Sequence, residues 1–357
     1  DSSEEDFSPL DVQKILSGMG IADVKTVGFC WSILQDGYTT KAFIDVPEAN
    51  RKGLLKLFAA DRKESNPPPF VPADATEFYR WRLDMPQAWK TLEDTIVGIY
   101  PAAKQGLDMF FETAGKDKDE KYDLKSELLG SLGNDIISYK KSPKNMTLQE
   151  ISAQPQLFLI GSPKPEQLAS VIKTFVESVA RSSSVKEKDF LGRKLYTISN
   201  SDDENTTNSF NFAASGGYLA MSAQVSMIEE YLRSSENKPK ALSETPGLAE
   251  AAEKVGGMNT GMFGYNNERE QVRIAFEMCK QNTEVFSQLF NLGMRGVADG
   301  EGWKKFTEWV DFSLLPEFNT ISKYFHFSVF SVEVDATGYK IRGFQPFPPE
   351  LKKPSGK

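Results

Sequence analysis

A single histidine in 357 residues sets the first limit on the chemistry available to this chain. A Ser-His-Asp or Cys-His arrangement working near neutral pH would have to use His326. That residue stands in the alternating run Tyr324-Phe325-His326-Phe327-Ser328-Val329, where period two places it on one face with Tyr324, Ser328 and Phe330. No Gly-x-Ser-x-Gly elbow accompanies it. The spacing therefore predicts a structural strand residue rather than a catalytic base. Zinc held by His and Cys needs three or four such ligands. The chain offers only Cys30, Cys279 and His326, far apart in sequence. Calcium needs oxygens alone, and Asp117 to Glu120 and Asp202 to Asn205 could supply them. Neither run has EF-hand spacing with its glycine, and both read as solvated loop charge.

Phosphate chemistry finds no better footing. Gly256 to Gly261 has the separation of a P-loop, but Met262 and Phe263 occupy the places of Lys and Ser/Thr. No Gly-x-Gly-x-x-Gly follows a strand. No cofactor and no metal ligand set is expected, and no catalytic residue is assigned. Carboxylate chemistry stays open, because a glycosidase or aspartic protease needs two acids and the chain has 50. No motif directs it: Asp94-Thr95 runs into Ile96 within a helical pattern, and Thr260-Gly261 follows Asn259 rather than an acid.

Charge and composition narrow the partners. A net charge of −8 with dispersed Lys and Arg argues against a nucleic-acid backbone or an anionic membrane surface. No run of about 18 apolar residues is present to span a bilayer. The content of 25 Phe, 11 Tyr and 5 Trp can furnish a substantial core. The opening DSSEEDF lacks the basic and apolar regions of a signal peptide, so the chain reads either as cytoplasmic or as starting after a removed export signal. Cys30 and Cys279 read as free, buried thiols, and a bridge between them stays open for an exported protein.

The elements that would carry any site follow from periodicity. A first helix is opened by Ser8 and Pro9 and buries Val12, Ile15, Leu16 and Met19. Val24 to Leu34 and Tyr38 to Val46 form a hairpin about Asp36-Gly37. A short helix about Leu54 to Phe58 precedes RKESNPPPFVPADA, whose prolines predict an extended connection. Thr76 to Leu83 then reads as a strand. Asp84 and Gln87 form a capping pair for a helix carrying Trp89, Leu92, Ile96 and Ile99. Further on, the pattern gives a strand at Gln156 to Ile160 and a helix through Leu168, Ile172, Phe175 and Val179. Strands follow at Lys194 to Ser199 and on both sides of Gly216-Gly217. Helices are predicted through Met227 to Leu232, from Thr245-Pro246 to Gly256-Gly257, along Val272, Phe276, Cys279, Thr283, Phe286 and Phe290, and about Trp303 to Val310.

One internal echo stands out. Gly37-Tyr38 with Phe43 and Pro47 recurs at the same spacing as Gly338-Tyr339 with Phe344 and Pro348, and Gly217-Tyr218 opens a third strand. The expected fold is α+β: curved, mostly antiparallel sheets with helices packed on one face, in two related halves. The halves are placed at 1–150, with hairpin, helix, Pro-rich link and strand-helix unit, and at 151–345, with a loose tail at 346–357.

Several passages resemble a known family. They are PPPFVPADATEFYRWRLDMPQAWKTLEDTI, SLGNDIISY, DFLGRKLYTIS, SGGYLAMSAQVSMIEEYL and LPEFNTISKYFHFSVFSVEVDATGYKIRGFQPFPPE. Together they are similar to uncharacterised, usually exported bacterial proteins with a domain of unknown function. The resemblance covers most of the chain but rests on turns and strand-helix junctions, not on a site. It implies the periplasm or cell exterior. The leading expectation is a non-enzymatic exported protein that binds a partner, protein or extracellular polymer, or organises an envelope or extracellular assembly. A hydrolase of protein or glycan with a carboxylate pair, and a carrier of an apolar ligand, are the alternatives. An exposed apolar patch, two acids in a cleft, or a dry apolar cavity would respectively mark the three.

Overall fold

The computed structural model describes residues 12–59, 62–116, 120–145, 147–179, 183–200, 209–234, 240–281 and 314–351. The strands are β1 (Thr26–Ile33), β2 (Gly37–Asp45), β3 (Glu77–Trp81), β4 (Ile136–Lys140), β5 (Gln156–Gly161), β6 (Ser183–Phe190), β7 (Arg193–Asn200), β8 (Phe210–Ser215), β9 (Tyr218–Ser222), β10 (Met262–Asn266), β11 (Ser328–Val334) and β12 (Gly338–Pro346). The helices are α1 (Val12–Gly18), α2 (Gly53–Leu57), α3 (Met85–Ile99), α4 (Ala103–Thr113), α5 (Leu124–Ser131), α6 (Leu148–Ser152), α7 (Pro165–Val179), α8 (Val225–Arg233), α9 (Leu248–Lys254), α10 (Glu268–Gln281) and α11 (Phe318–Ile321). All described strands join one open sheet in the order β1-β2-β12-β11-β10-β3-β4-β5-β9-β8-β7-β6. Every neighbouring pair is antiparallel. The protein is α+β.

Alternation decides which residues face the core. Phe78, Ile137, Tyr139, Leu157, Leu159, Leu195, Phe263 and Val329 point to one face and are buried. Met227, Ile228, Tyr231 and Leu232 of α8, and Leu248, Ala251, Ala252 and Val255 of α9, cover that face. Their spacing is the helical one that puts four side chains on one stripe. On the opposite face, Tyr196, Phe212, Ala214 and Leu219 pack against Leu168 and Ala169 of α7 and Leu128 near the end of α5. Helices thus cover β7–β9 on both sides. The α3 cap forms as the sequence predicts, with the Gln87 backbone N–H donating to Asp84 Oδ1 at 3.0 Å.

The Pro-rich segment is not a bare connection. Val71 and Ala75 are buried in the main core, and Pro72 bridges Ala241. Extended backbone lacks internal hydrogen bonds, so its polar groups find partners outside: Ser65 N donates to Met258 O and Leu242 N to Val71 O. Residues 346–351, expected as the start of a loose tail, are ordered as well. Phe347 lies edge-on to Tyr38 at 5.1 Å, and Pro349–Leu351 forms a 3-10 turn. His326 precedes β11 rather than lying within a strand. A 3-10 turn at Ser322–Tyr324 ends the alternation predicted for Tyr324. The helices predicted about Thr283 to Phe290 and Trp303 to Val310 lie outside the described residues, as do Ser8 and Pro9.

The Gly-Tyr echo is a structural repeat, and its two copies are neighbours. A shift of 301 positions carries Gly37 to Gly338, β1–β2 onto β11–β12, and the flanking 3-10 turns Ile21–Asp23 and Glu48–Asn50 onto Ser322–Tyr324 and Pro349–Leu351. The second strands pair with each other about a local two-fold centred on Lys41↔Arg342, with Gly37 opposite Pro346 and Gly338 opposite Asp45. Backbone bonds repeat too: Val46 N donates to Thr337 O, and Phe347 N to Asp36 O. Strands from residues 1–150 and 151–345 consequently share one sheet.

The two glycines are required by crowding, since neither has a positive φ. A methyl on Gly338 would overlap the Ile44 carbonyl, and one on Gly37 would overlap the symmetry-equivalent Gln345 carbonyl and come within 2.9 Å of Phe344. Gly338→Ala is expected to lower unfolding free energy by about 1–3 kcal/mol in urea titrations. Gly28→Ala, where an added methyl meets nothing, should stay within about 0.5 kcal/mol of the native chain.

Candidate functional site

Antiparallel pairing brings the end of β3, the start of β4, the end of β5 and the start of β9 to one end of the sheet. A cleft of about 660 Å³ opens there, walled by the start of α3, the end of α5, the segment before α7 and the Gly216-Gly217 turn. Its polar centre is Asp135, a buried carboxylate. Arg80 clamps it with Nε to Oδ1 at 3.0 Å and Nη2 to Oδ2 at 2.7 Å. Arg82 Nη1 donates to Oδ2 at 2.8 Å, and so does the Tyr218 hydroxyl, also at 2.8 Å. The remaining Arg80 nitrogen donates to the Asn66 carbonyl at 2.8 Å, which ties the Pro-rich segment to the same knot.

Local sequence explains each placement. Arg80 shares the face of buried Phe78 by period two, and Asp135 ends the approach to β4. Gly161 leaves room for it, since a methyl there would come within 2.9 Å of Asp135 Cβ. Gly161 N donates to Asp135 O at 2.7 Å. Burial works against the Arg80 charge, but the Asp135 hydrogen bonds outweigh it and raise the guanidinium pKa. Burial, then the neighbouring Asp135 charge, pushes the Tyr218 phenol up to about 12.

These contacts brace the end of the sheet, and the cleft's polar groups are largely taken up by one another. Tyr218 holds its proton at neutral pH. Both Asp135 oxygens already accept from cations, and Asp84 is occupied in capping α3. Ser162 Oγ donates to the Ser131 carbonyl at 2.6 Å. A carboxylate pair with one acid free to give a proton is therefore not assembled in this cleft. Arg82 retains donors, since its buried Nε has no partner.

The residues weighed from sequence stay scattered. His326 offers its carbonyl to Arg269 N and its ring to Phe327 at 4.4 Å. Asp94 and Thr95 lie mid-helix in α3. Gly256, Gly257 and Gly261 make turns around β10 at positive φ. Cys30 and Cys279 are free thiols, but only Cys279 is buried, and burial raises its pKa; Cys30 is exposed on β1. Cys30 lies on a strand at the margin of the sheet, with no described helix packed over it, which the strand pattern alone did not reveal. Among the described residues, no cluster of His, Cys, Asp or Glu could hold a metal ion, and no helix is long and apolar enough to cross a membrane. The acidic residues Asp117 to Asp119 and Asp202 to Asn205 lie outside the described set. Sequence patterning assigned none of Arg80, Arg82, Asp135 and Tyr218 to a site; Tyr218 entered only through the Gly-Tyr echo. The available signal was two arginines at strand spacing and an acid immediately before a strand.

A second feature lies at the sheet margin. Val27, Phe29, Trp31 and Ile33 project from one face of β1 and are 65%, 72%, 55% and 61% exposed. Opposite them on β2 stand Ile44, Ala42, Thr40 and Tyr38, so the apolar strip continues onto the neighbouring strand. Trp31 stacks on Tyr38 at 5.6 Å. No charge or proline interrupts Thr26–Ile33. The other margin, β6, carries Lys186, Glu187, Lys188 and Asp189, the usual protection of an exposed strand edge.

No family model, curated protein or solved structure matches this chain.

Two measurements test the cleft. Asp135→Asn should cost about 3 kcal/mol in urea titrations, because it leaves two guanidiniums without their counter-charge. A folded-state phenol pKa above its ordinary value means the folded chain keeps a proton that the unfolded chain releases. The contribution of Tyr218 is then complete below pH 10 and lost as pH rises towards 12. Tyr218→Phe should show a shallower fall in stability than the native chain between pH 10 and 12.

Proposed function

We propose that this chain is a non-enzymatic interaction protein that docks a protein partner on the apolar face of its β1–β2 hairpin. The observation carrying this is the row Val27, Phe29, Trp31 and Ile33, exposed together on a strand edge that has no neighbour among the described residues. Single exposed apolar residues need no explanation, but a contiguous strip of aromatic and branched side chains is what partner surfaces are made of. Aromatic anchors concentrate binding energy because they bury large area at little conformational cost. The setting attached to this proposal, the periplasm or cell exterior with a role in an envelope or extracellular assembly, draws its support from the family resemblance of the sequence.

Replacing Trp31 with the photo-crosslinker p-benzoylphenylalanine tests the reading in the cells that make the protein. The expected result is one dominant adduct, lost when Phe29→Arg is added and absent when the crosslinker replaces exposed Lys14 instead. The same adducts at both positions, or none at Trp31, would rule the surface out.

A further inference from the structure

The local two-fold supplies an internal template for what belongs beside β1. Under the shift that carries β1–β2 onto β11–β12, Val27, Phe29, Trp31 and Ile33 correspond to Ser328, Phe330, Val332 and Val334. The outer edge of β11 is occupied: β10 pairs with it antiparallel, with Met262 opposite Val332, Gly264 opposite Phe330 and Asn266 opposite Ser328. Among the described residues, the equivalent edge of β1 has no strand.

The template also states which side chains fit. The Phe330 ring lies across Gly264, where a methyl would collide with ring carbons, and reaches Tyr79 on the next strand at 5.7 Å. Phe29 holds the same position on its strand and is 72% exposed, with no strand beside it among the described residues. On the opposite face, β10 sets Phe263 beside Ser331 and Tyr265 beside Val329. The corresponding β1 residues are Cys30 and Gly28, and Gly28 has open space where a side chain could settle.

We infer that β1 is the seat of an added β-strand, an extended segment of a partner protein that pairs antiparallel in the place β10 takes beside β11. Its residue opposite Phe29 is glycine, because the ring must lie across it. The residues on either side are apolar or aromatic and fill the space over Gly28 and Cys30. The ladder supplies affinity through main-chain hydrogen bonds, and the Phe29 ring supplies selectivity, as in other strand-addition interfaces. Charged residues are unwelcome on the partner strand, since β1 offers none to pair with them. This inference rests on the partner-docking reading and specifies its mode.

A synthetic peptide with the sequence of Thr260–Asn266, TGMFGYN, is a suitable probe for the full chain. Saturable binding should slow hydrogen exchange at Thr26–Ile33 and nowhere else in the sheet. A peptide with Leu in place of the glycine corresponding to Gly264 should bind at least about tenfold more weakly, because the ring cannot cross a side chain. Alternate N-methylation along the ladder edge should abolish binding, and Phe29→Ser in the protein should remove the difference between Gly and Leu peptides. Absence of binding, equal binding of the two peptides, or protection elsewhere overturns strand addition. So does a β1–β1 dimer of this chain, read by sedimentation and by a Cys30–Cys30 crosslink. If the Trp31 crosslinker captures its partner while the peptide fails, partner docking stands and strand addition falls; if both fail, both fall.

Discussion

A carboxylate removed from water must be ringed by donors, and Asp135 imposes that demand on three other parts of the chain at once. Arg80 comes from β3 and Arg82 from the position just after it, Tyr218 from β9 and, through Arg80, Asn66 from the Pro-rich segment. These contacts sit where β3, β4, β5 and β9 converge, midway along the strand order. An ion group of this kind adds little net stability over a well-packed apolar cluster, but removing one member is expensive. Its effect is on register. A one-residue slip of β3 against β4 would turn Arg80 away from Asp135 and Phe78 out of the core together. The same contacts explain why the cleft is poor in reactive groups: the acid, the phenol and most of the guanidinium donors are committed to one another.

The ends of the sheet are handled in two ways. At β6, alternating lysines and acids keep the edge in solvent. At the other end the chain has used one hairpin twice. Joining the copies through β2 and β12 about a two-fold satisfies both second strands, and the matched glycines allow the close approach of backbone to backbone. The copies then differ in their outer neighbours. β11 receives β10 and becomes interior, with Val329 and Ser331 buried; β1 stays at the margin with both faces open. Among the described residues, the interface of repeated hairpins therefore leaves one outer edge paired and an equivalent one without a strand.

Local order was legible in the sequence wherever one residue type settles a backbone choice. Asp36-Gly37 marked the first hairpin, Asp84 and Gln87 the start of α3, and Gly216-Gly217 the turn between β8 and β9, each within a residue or two of the structure. Helical stripes gave α7, α8 and α9, and the mixed hairpin-and-helix grammar gave an antiparallel α+β fold. The Gly-Tyr echo pointed correctly to a repeated hairpin. Strands β4, β6 and β10 were less legible, because β4 and β10 are only five residues long and β6, though longer, is mostly polar and charged, so period two of apolar residues is weak in them.

Beyond the hairpins, which strands become neighbours was not legible. That β2 meets β12, some three hundred residues away, and that β3 lies between β10 and β4, follow from packing and ladder pairing, which leave no trace in local periodicity. The cleft depends on that order, since Arg80, Asp135 and Tyr218 are unremarkable until three strands bring them within hydrogen-bond reach. The exposure of Phe29 and Trp31 depends on it as well. Alternation predicts that such residues share a face, but only the sheet order decides whether that face meets a neighbour. The sequence by itself determined the local elements and the residue types on hand for chemistry; the tertiary structure alone decided which polar groups were gathered and which strand edge has no neighbour among the described residues.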